Sequence, residues 1–191
     1  SSAALVLGDS ASTNLVLACG GNLLLTNGAS LQVFSGPTNA EANANAWGVM
    51  VAVSNRFTVG PGSWVYPASQ RVNGGSPLFR VGDLVIHAGG GFNANYKGFG
   101  DRHGPGAGAS PYAAGGGGYG GKGGNGDYPG ANGGDPCGRT NGPTDPGSSG
   151  GSYGDAARIF NAGHGGGAVR IDATNEILIK GTIAADGGSG Y

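Results

Sequence analysis

Apolar residues recur along this chain in short alternating patterns that glycines interrupt. In four segments, two apolar residues at alternate positions precede a glycine turn, and a second alternating pair follows it. Side chains two positions apart lie on one face of a strand, so each segment predicts a short strand, a tight turn and another short strand. The segments are Leu23–Val33, Phe57–Tyr66, Leu84–Ala94 and Ile177–Ala185.

Further alternating runs lie between these segments, at 49–53, 78–81 and 168–173. The repeats that begin at Leu23 and Phe57 lie 34 residues apart, and the next repeat begins 27 residues later at Leu84. Repeats of this length with about three short strands predict an all-β fold. The expected form is a short right-handed parallel β-helix (β-solenoid), in which each coil buries its apolar face against its neighbours.

The solenoid prediction states which apolar residues share one stacked inner face. The first apolar pair of every segment should lie in register with the first pair of the next coil. These core residues are Leu23, Leu25, Phe57, Val59, Leu84, Ile86, Ile177 and Ile179. A β-sandwich is the alternative fold, for which Asn27-Gly28 could supply a two-residue hairpin turn. Helix-forming residues are concentrated in Ala40–Ala46, a segment too short to be stable alone.

A large glycine-rich block interrupts the repeats. From Asn95 to His164 the sequence has no Leu, Val, Met or Trp, and its one large aliphatic residue is Ile159. Such a segment cannot form an apolar core, so its order must come from backbone hydrogen bonds. We expect a polyglycine II-type bundle, with Gly89–Gly91, Gly115–Gly118 and Gly165–Gly167 as its strands. The predicted domains are solenoid coils over 1–94, a glycine-rich insertion over 95–164 and a closing coil over 165–191.

Tyrosines punctuate this block and carry its main candidate chemistry. Their flat rings could stack on bare glycine backbone, which we favour, or they could form stacking platforms for sugar rings. The candidates for glycan stacking are Tyr96, Tyr112, Tyr119, Tyr128 and Tyr153. The two cysteines, Cys19 and Cys137, could form one disulfide or remain unpaired thiols.

Composition limits the functional classes. Glycine contributes 45 of the 191 residues, charged side chains only 11 %, and the formal net charge is −1. Without a basic surface there is no electrostatic case for nucleic acid, and no apolar run approaches the about 20 residues of a membrane span. A neutral surface and the near-absence of methionine favour an extracellular or cell-surface location.

The sequence contains no recognisable catalytic or metal site. Its acidic residues are isolated, whereas solenoid enzymes need paired carboxylates or a calcium cluster beside a basic residue. The nearest constellation is Asp101-Arg102-His103 with His164 in the same block. The letters GYGGKG at Gly118–Gly123 lack the preceding strand and following helix of a phosphate-binding loop. We therefore predict a protein that is not an enzyme and has no cofactor.

The second half of the chain resembles a known kind of repeat region. It contains GGGGYGGKGGNG at Gly115–Gly126, GHGGGAVRIDA at Gly163–Ala173 and the closing letters ILIKGTIAADGGSGY. Over Leu84–Tyr191 it is similar to the glycine-rich β-helix repeat regions of large secreted and cell-surface, adhesin-like proteins of environmental bacteria and protists. This resemblance implies an extracellular structural or adhesive role, with no catalytic residues to transfer.

The ending Ile177–Tyr191 parallels Leu84–Tyr96, where the glycine-rich block begins. Such an ending is expected of a piece of a tandem array, or of an open last coil that another copy completes. The sequence therefore predicts an extracellular structural protein, a subunit of a filament or surface fibre that assembles by end-to-end solenoid stacking. Its partners would be other copies of itself or neighbouring repeats. The alternative is a carbohydrate-binding or adhesive module of a larger surface protein, with glycans as partners.

Overall fold

The computed structural model describes residues 3–9, 11, 15–37, 47–110, 113–138, 143–155, 158–160 and 162–190, and for 153–155 and 158–160 the backbone alone. Thirteen β-strands and no helix occur in these described segments. They are β1 (Ala4–Leu7), β2 (Leu15–Cys19), β3 (Leu23–Leu25), β4 (Ser30–Phe34), β5 (Val49–Val59), β6 (Trp64–Ala68), β7 (Pro77–Ile86), β8 (Gly91–Asn93), β9 (Tyr153–Asp155), β10 (Arg158–Phe160), β11 (Arg170–Ala173), β12 (Ile177–Ile179) and β13 (Thr182–Ala184). The candidate helix Ala40–Ala46 lies outside the described residues.

The chain is divided into two compact units, each assembled from separate stretches of sequence. The first unit comprises Ser1–Ala68, Gly75–Ala94 and Val169–Ala184, and the second comprises Ser69–Gly74, Asn95–Ala168 and Ala185–Tyr191. The chain passes from the first unit to the second after β6, after β8 and after β13. The second unit is therefore not the single block 95–164 of the sequence interpretation, since it also includes residues 69–74, 165–168 and 185–191.

Two parallel sheets form the first unit. The five-stranded sheet has the order β1-β4-β6-β8-β13. In the six-stranded sheet the long strands β5 and β7 pair with each other; β5 also pairs with β2 and β3, and β7 with β11 and β12. Alternate side chains of both sheets meet in one apolar core. There Phe92 of the five-stranded sheet packs edge-on against Phe79 of the six-stranded sheet, with ring centroids 5.1 Å apart.

The six-stranded sheet aligns the predicted core residues in register. Leu23, Phe57, Leu84 and Ile177 form one row, and Leu25, Val59, Ile86 and Ile179 form the next. The members on the central strands β5 and β7 are fully buried, whereas the two isoleucines on β12 are about half exposed. Their exposure follows from their position, because no further described strand covers β12.

Tight corner turns connect the two sheets and stack on one another. They join β3 to β4, β5 to β6, β7 to β8 and β12 to β13. Gly28, Gly62 and Gly89 occupy equivalent places in the first three turns, with φ of 73°, 72° and 79°, a left-handed conformation that glycine adopts without strain. Because β3 and β4 pair with other strands and not with each other, Asn27-Gly28 forms a corner rather than the hairpin of a β-sandwich.

The predicted closed solenoid is wrong. The described strands form two open parallel sheets with edge strands at both ends, and no third wall of strands joins them. The alternating runs 49–53 and 78–81, which the sequence predicts as separate strands, instead continue into the following strand as β5 and β7. They therefore belong to the same six-stranded sheet and add no third wall. The description all-β is also insufficient, because β9 and β10 are the only strands in the described part of the second unit.

The second unit is a bundle of extended glycine-rich segments held by backbone hydrogen bonds. The successive amides of residues 98–100 donate to three different segments, at the carbonyls of Gly165, Gly147 and Arg71. A polyproline II-type helix presents its backbone groups in this way, because it has three residues per turn and no internal hydrogen bonds. The run Gly115–Gly118 also reaches several segments, its amides donating to Ala109, Gly124 and Gly106.

The bundle has little apolar interior. Its buried apolar side chains, among the residues that the structure describes, are Phe99 and three alanines. Two of the three predicted glycine strands, Gly115–Gly118 and Gly165–Gly167, belong to this unit. The third, Gly89–Gly91, belongs instead to the first unit, where it forms a corner and begins β8.

Candidate interaction surfaces

The exposed large apolar residues of the first unit are concentrated on the edge strands of its sheets. We call β1, β2 and β3 the leading edge, and β11, β12 and β13 the trailing edge. Leu5, Val6, Val16 and Leu24 are exposed on the leading edge, and Ile177, Leu178, Ile179 and Ile183 on the trailing edge. Large apolar side chains of this unit are therefore exposed at its two ends, whereas the apolar rows on its central strands are buried.

Two of these exposed side chains belong to a core row of the five-stranded sheet. In the five-stranded sheet Leu5 is in register with buried Leu31, and Ile183 with buried Phe92. Leu5 is nevertheless 52 % exposed and Ile183 39 % exposed, because each lies on an outermost strand. A strand added to either edge would cover these side chains and would pair the free backbone groups of the edge.

The leading edge is stepped, whereas the trailing edge is flush. Strand β4 follows β3 through a corner turn, and β1 pairs with β4 on its outer side. Among the described strands, the five-stranded sheet therefore extends one strand beyond β2 and β3 at this end. At the trailing edge, β12 and β13 are joined by a corner turn, so both sheets end together.

The candidate tyrosines lie in the second unit and contact different segments. The ring of Tyr96 packs over Gly188, where a Cβ would lie 2.9 Å from its Cδ1 atom. The ring of Tyr119 packs over Gly138 at a similar distance. Both contacts match the interpretation that these rings stack on bare glycine backbone. Tyr96 and Tyr119 therefore each lie against a different glycine-containing segment.

Tyr119 is the more constrained of these rings. Its hydroxyl donates a hydrogen bond to the carbonyl oxygen of Asp145 at 2.9 Å. Burial raises the pKa of this hydroxyl above the usual 10.0, and the nearby Asp145 and Cys137 raise it further. Tyr128 is exposed, whereas Tyr112 and the side chain of Tyr153 lie outside the described residues.

The two cysteines are free thiols, so of the two alternatives the structure has the unpaired thiols and not the candidate disulfide. Cys19 ends β2 in the first unit, and its Sγ atom lies 3.5 Å from the carbonyl oxygen of Asn22. Cys137 belongs to the second unit, where its Sγ atom lies 3.5 Å from the hydroxyl of Ser148. Each thiol therefore has a polar neighbour within its own unit.

The constellation of Asp101, His103 and His164 is loose. The Nε2 atom of His164 lies 3.9 Å from the Oδ1 atom of Asp101, and Nδ1 of His103 lies 2.9 Å from the carbonyl oxygen of Gly100. Within the described part of the chain, no group of three or more His, Cys, Asp or Glu side chains could hold a metal ion. The described residues also include no helix of the length and apolarity that crossing a membrane requires.

An aromatic surface that the sequence interpretation missed lies on the outer face of the five-stranded sheet. Trp64 and Tyr66 flank the fully buried Val65 on β6, so both point away from the core. Phe34 points outward in the same way from the neighbouring strand β4. The signal was the alternation W-V-Y at the end of the predicted segment Phe57–Tyr66. No family model, curated protein or solved structure matches this chain.

Proposed function

We propose that this protein is an extracellular structural protein without catalytic activity, whose copies join end to end into a filament. The observation that carries the proposal is the concentration of exposed large apolar residues on the leading and trailing edges. Edge strands present unpaired backbone N–H and C=O groups and therefore recruit further strands. In this protein, an added strand would also cover apolar side chains that already belong to core rows.

The two edges of the five-stranded sheet are complementary in a head-to-tail contact. Strand β13 of one copy would lie parallel to β1 of the next and would continue a ladder that is parallel throughout. Ile183 would then lie in register with Leu5 of the next copy. Because this contact joins two different surfaces, it does not close on itself and generates an open chain of subunits.

The stepped leading edge determines how the six-stranded sheets would meet. With β13 against β1, the strands β12 and β3 of adjacent copies would remain two strand spacings apart, about 10 Å. The opening between them is as wide as one strand, and Ile177 and Ile179 border it. The five-stranded sheets therefore supply the direct contact, whereas the six-stranded sheets would be continuous only after a further strand entered.

The composition and the bundle support the extracellular part of the proposal. Charged residues make up only 11 % of the chain, and the net charge is −1, so its polar surface is neutral. In the bundle, backbone amides and carbonyls are bonded between segments that would otherwise resemble a linker. Proteases cleave locally unfolded chain, and these hydrogen bonds oppose local unfolding, so the bundle should resist proteolysis.

Sedimentation velocity and negative-stain electron microscopy of the purified chain test the proposal. We expect polymers that grow with protein concentration without any ligand, and filaments with a regular axial repeat. A protein that stays monomeric at high concentration would contradict the proposal.

Two edge variants test the polarity of the contact. Leu5→Lys places a charge on the leading edge and Ile183→Lys places one on the trailing edge, at side chains that are already partly exposed. Each variant alone should fail to polymerise, while a mixture of the two should form dimers through the intact edges. Ser54→Lys, which adds the same charge at an exposed position of the central strand β5, should polymerise normally. Dimers of either edge variant alone would refute the head-to-tail arrangement.

A further inference from the structure

The outer faces of the two sheets differ in charge. The strands of the six-stranded sheet carry five charged residues: Arg56, Arg80, Asp83, Arg170 and Asp172. Two ion pairs join four of them, Arg56 with Asp83 at 3.1 Å and Arg80 with Asp172 at 3.7 Å. The five strands of the other sheet carry no charged residue. The strand residues of its outer face are therefore uncharged, and the side chains of Trp64 and Tyr66 on it are partly exposed.

This neutral face carries a line of aromatic rings. Trp64 and Tyr66 are two positions apart on β6, and Phe34 on β4 is in register with Ala68, two positions further along. Outward positions on one strand lie about 6.6 Å apart, so the three rings span about 13 Å along the strand direction. Rings at this spacing form an elongated platform rather than a pocket.

The platform is flat where Trp64 crosses the neighbouring strand. Trp64 is in register with Gly91 of β8, and a Cβ at Gly91 would lie 2.9 Å from the Cζ3 atom of the indole. The missing side chain at Gly91 therefore leaves room for the ring to lie over the backbone of β8. A larger residue there would force the indole to stand away from the sheet.

Uncharged hydrogen-bonding side chains surround the rings. Gln32 is in register with Tyr66, and Ser30 with Trp64, on the β4 side of the platform. Thr182 of β13 is in register with Gly91 and is exposed. Hydroxyl and amide groups of this kind can donate and accept hydrogen bonds without a net charge.

We propose that the outer face of the five-stranded sheet binds a neutral, linear polysaccharide whose chain runs along the strands. The C–H face of a sugar ring is apolar and stacks on the face of Trp64, Tyr66 or Phe34, while the hydroxyls at its rim bond to the surrounding amide and hydroxyl groups. The uncharged strand residues of this face suit a neutral polysaccharide and provide no cationic side chain to pair with an anionic one. A protein partner would favour a contiguous apolar surface, which Ser30, Gln32 and Thr182 interrupt.

Affinity electrophoresis tests this proposal in native gels that contain hydroxyethyl cellulose, mannan or, as the anionic comparison, alginate. The Leu5→Lys variant is the background, so that filament formation cannot alter mobility and the test is independent of assembly. We expect at least one of the two neutral polysaccharides, but not alginate, to retard the protein. Trp64→Ala and Tyr66→Ala should each weaken binding about tenfold, and Trp64→Phe, which keeps a ring, should weaken it less.

Controls separate this face from the other exposed tyrosines. Tyr128→Ala removes an exposed ring from the second unit and should leave retardation unchanged. Far-UV circular dichroism and thermal melts verify that the variants remain folded. The proposal fails if neither neutral polysaccharide retards the protein, if Trp64→Ala binds like its parent, or if Tyr128→Ala loses as much. It also fails if Trp64→Ala in the unmodified chain abolishes self-association and leaves retardation intact, because the face would then be a contact between copies.

Discussion

Alanine substitutions at the adjacent glycines Gly123 and Gly124 test whether glycine is needed in the second unit for close packing or only for chain flexibility. A Cβ at Gly123 would overlap the carbonyl oxygen of Gly116 and would lie 2.6 Å from its carbonyl carbon and 3.0 Å from that of Gly117. At Gly124 the same atom would meet nothing within 4 Å. We predict that Gly123→Ala destabilises the protein, whereas Gly124→Ala does not.

The magnitude follows from the contacts that the added methyl group would displace. Overpacking against backbone costs about 1–3 kcal/mol. Separation of the segments also weakens two hydrogen bonds, from the Gly123 amide to Gly134 at 2.9 Å and from the Gly116 amide to Gly124 at 2.8 Å. Each contributes about 0.5–1.5 kcal/mol. Alanine restricts the unfolded chain, which stabilises both variants by about 0.4–1 kcal/mol. We therefore expect the free energy of unfolding to fall by about 2–4 kcal/mol in Gly123→Ala. In Gly124→Ala it should be unchanged or rise by up to about 1 kcal/mol.

Urea unfolding and hydrogen exchange measure this difference. Unfolding followed by far-UV circular dichroism gives the free energy of each variant, and mass spectrometry of peptides from 115–138 locates the change in the second unit. In Gly123→Ala the amides of Gly116 and Gly134, which are bonded in the parent, should exchange faster. Equal stabilities of the two alanine variants would refute the close packing that the structure assigns to Gly123.

Three further predictions concern the core, the Tyr119 hydroxyl and the thiols. Phe79→Ala should cost about 3–5 kcal/mol in urea unfolding, because Phe79 is fully buried and its ring is 5.1 Å from that of Phe92, and a loss below about 1 kcal/mol would contradict the described core. Ultraviolet titration should show one tyrosine, absent in Tyr119→Phe, that ionises above pH 10.0, because burial and then Asp145 and Cys137 disfavour the phenolate. Because this pKa is raised in the folded state, the contribution of the protonated hydroxyl to the free energy of unfolding is complete below the unfolded pKa of about 10. That contribution is lost as the pH rises through the folded pKa. Parallel curves of stability against pH for the parent and Tyr119→Phe would contradict this. In a thiol assay under denaturing conditions Cys19 and Cys137 should both react without prior reduction, and fewer than two reactive thiols would contradict the free cysteines.

The apolar rows of the six-stranded sheet could be inferred from sequence because each repeat contains a pattern that identifies equivalent positions. An apolar pair at alternate positions followed by a glycine places Phe57 and Leu84 at equivalent points of two repeats, and the structure sets them in register. The closure of the coils could not be inferred in the same way. Alternation indicates where strands form, but it does not state whether two successive runs lie in one sheet or in two walls. The runs 49–53 and 57–59 both lie in the single strand β5.

The partners of the glycine segments were also beyond sequence reasoning. Glycine has no side chain to distinguish one neighbour from another, so composition indicates a hydrogen-bonded bundle without stating which segments touch. The contact of Gly98 with Gly165 and the inclusion of residues 69–74 in the second unit illustrate this. The outer face of the five-stranded sheet was missed for a different reason. The letters W-V-Y at 64–66 predict a strand, but because all three are apolar the alternation does not state which side chains face outward.

The small apolar interior of the second unit has a thermal consequence. Unfolding raises the heat capacity when it exposes apolar surface and lowers it when it exposes polar surface. The bundle, whose described buried apolar side chains are Phe99 and three alanines, exposes mostly backbone amides when it unfolds. Its heat-capacity increment is therefore small, so its stability lacks the fall at low temperature that a large increment causes. The first unit, with Phe57, Phe79 and Phe92 in its core, follows the usual curved dependence, so the glycine-rich part is the one that cold water weakens least.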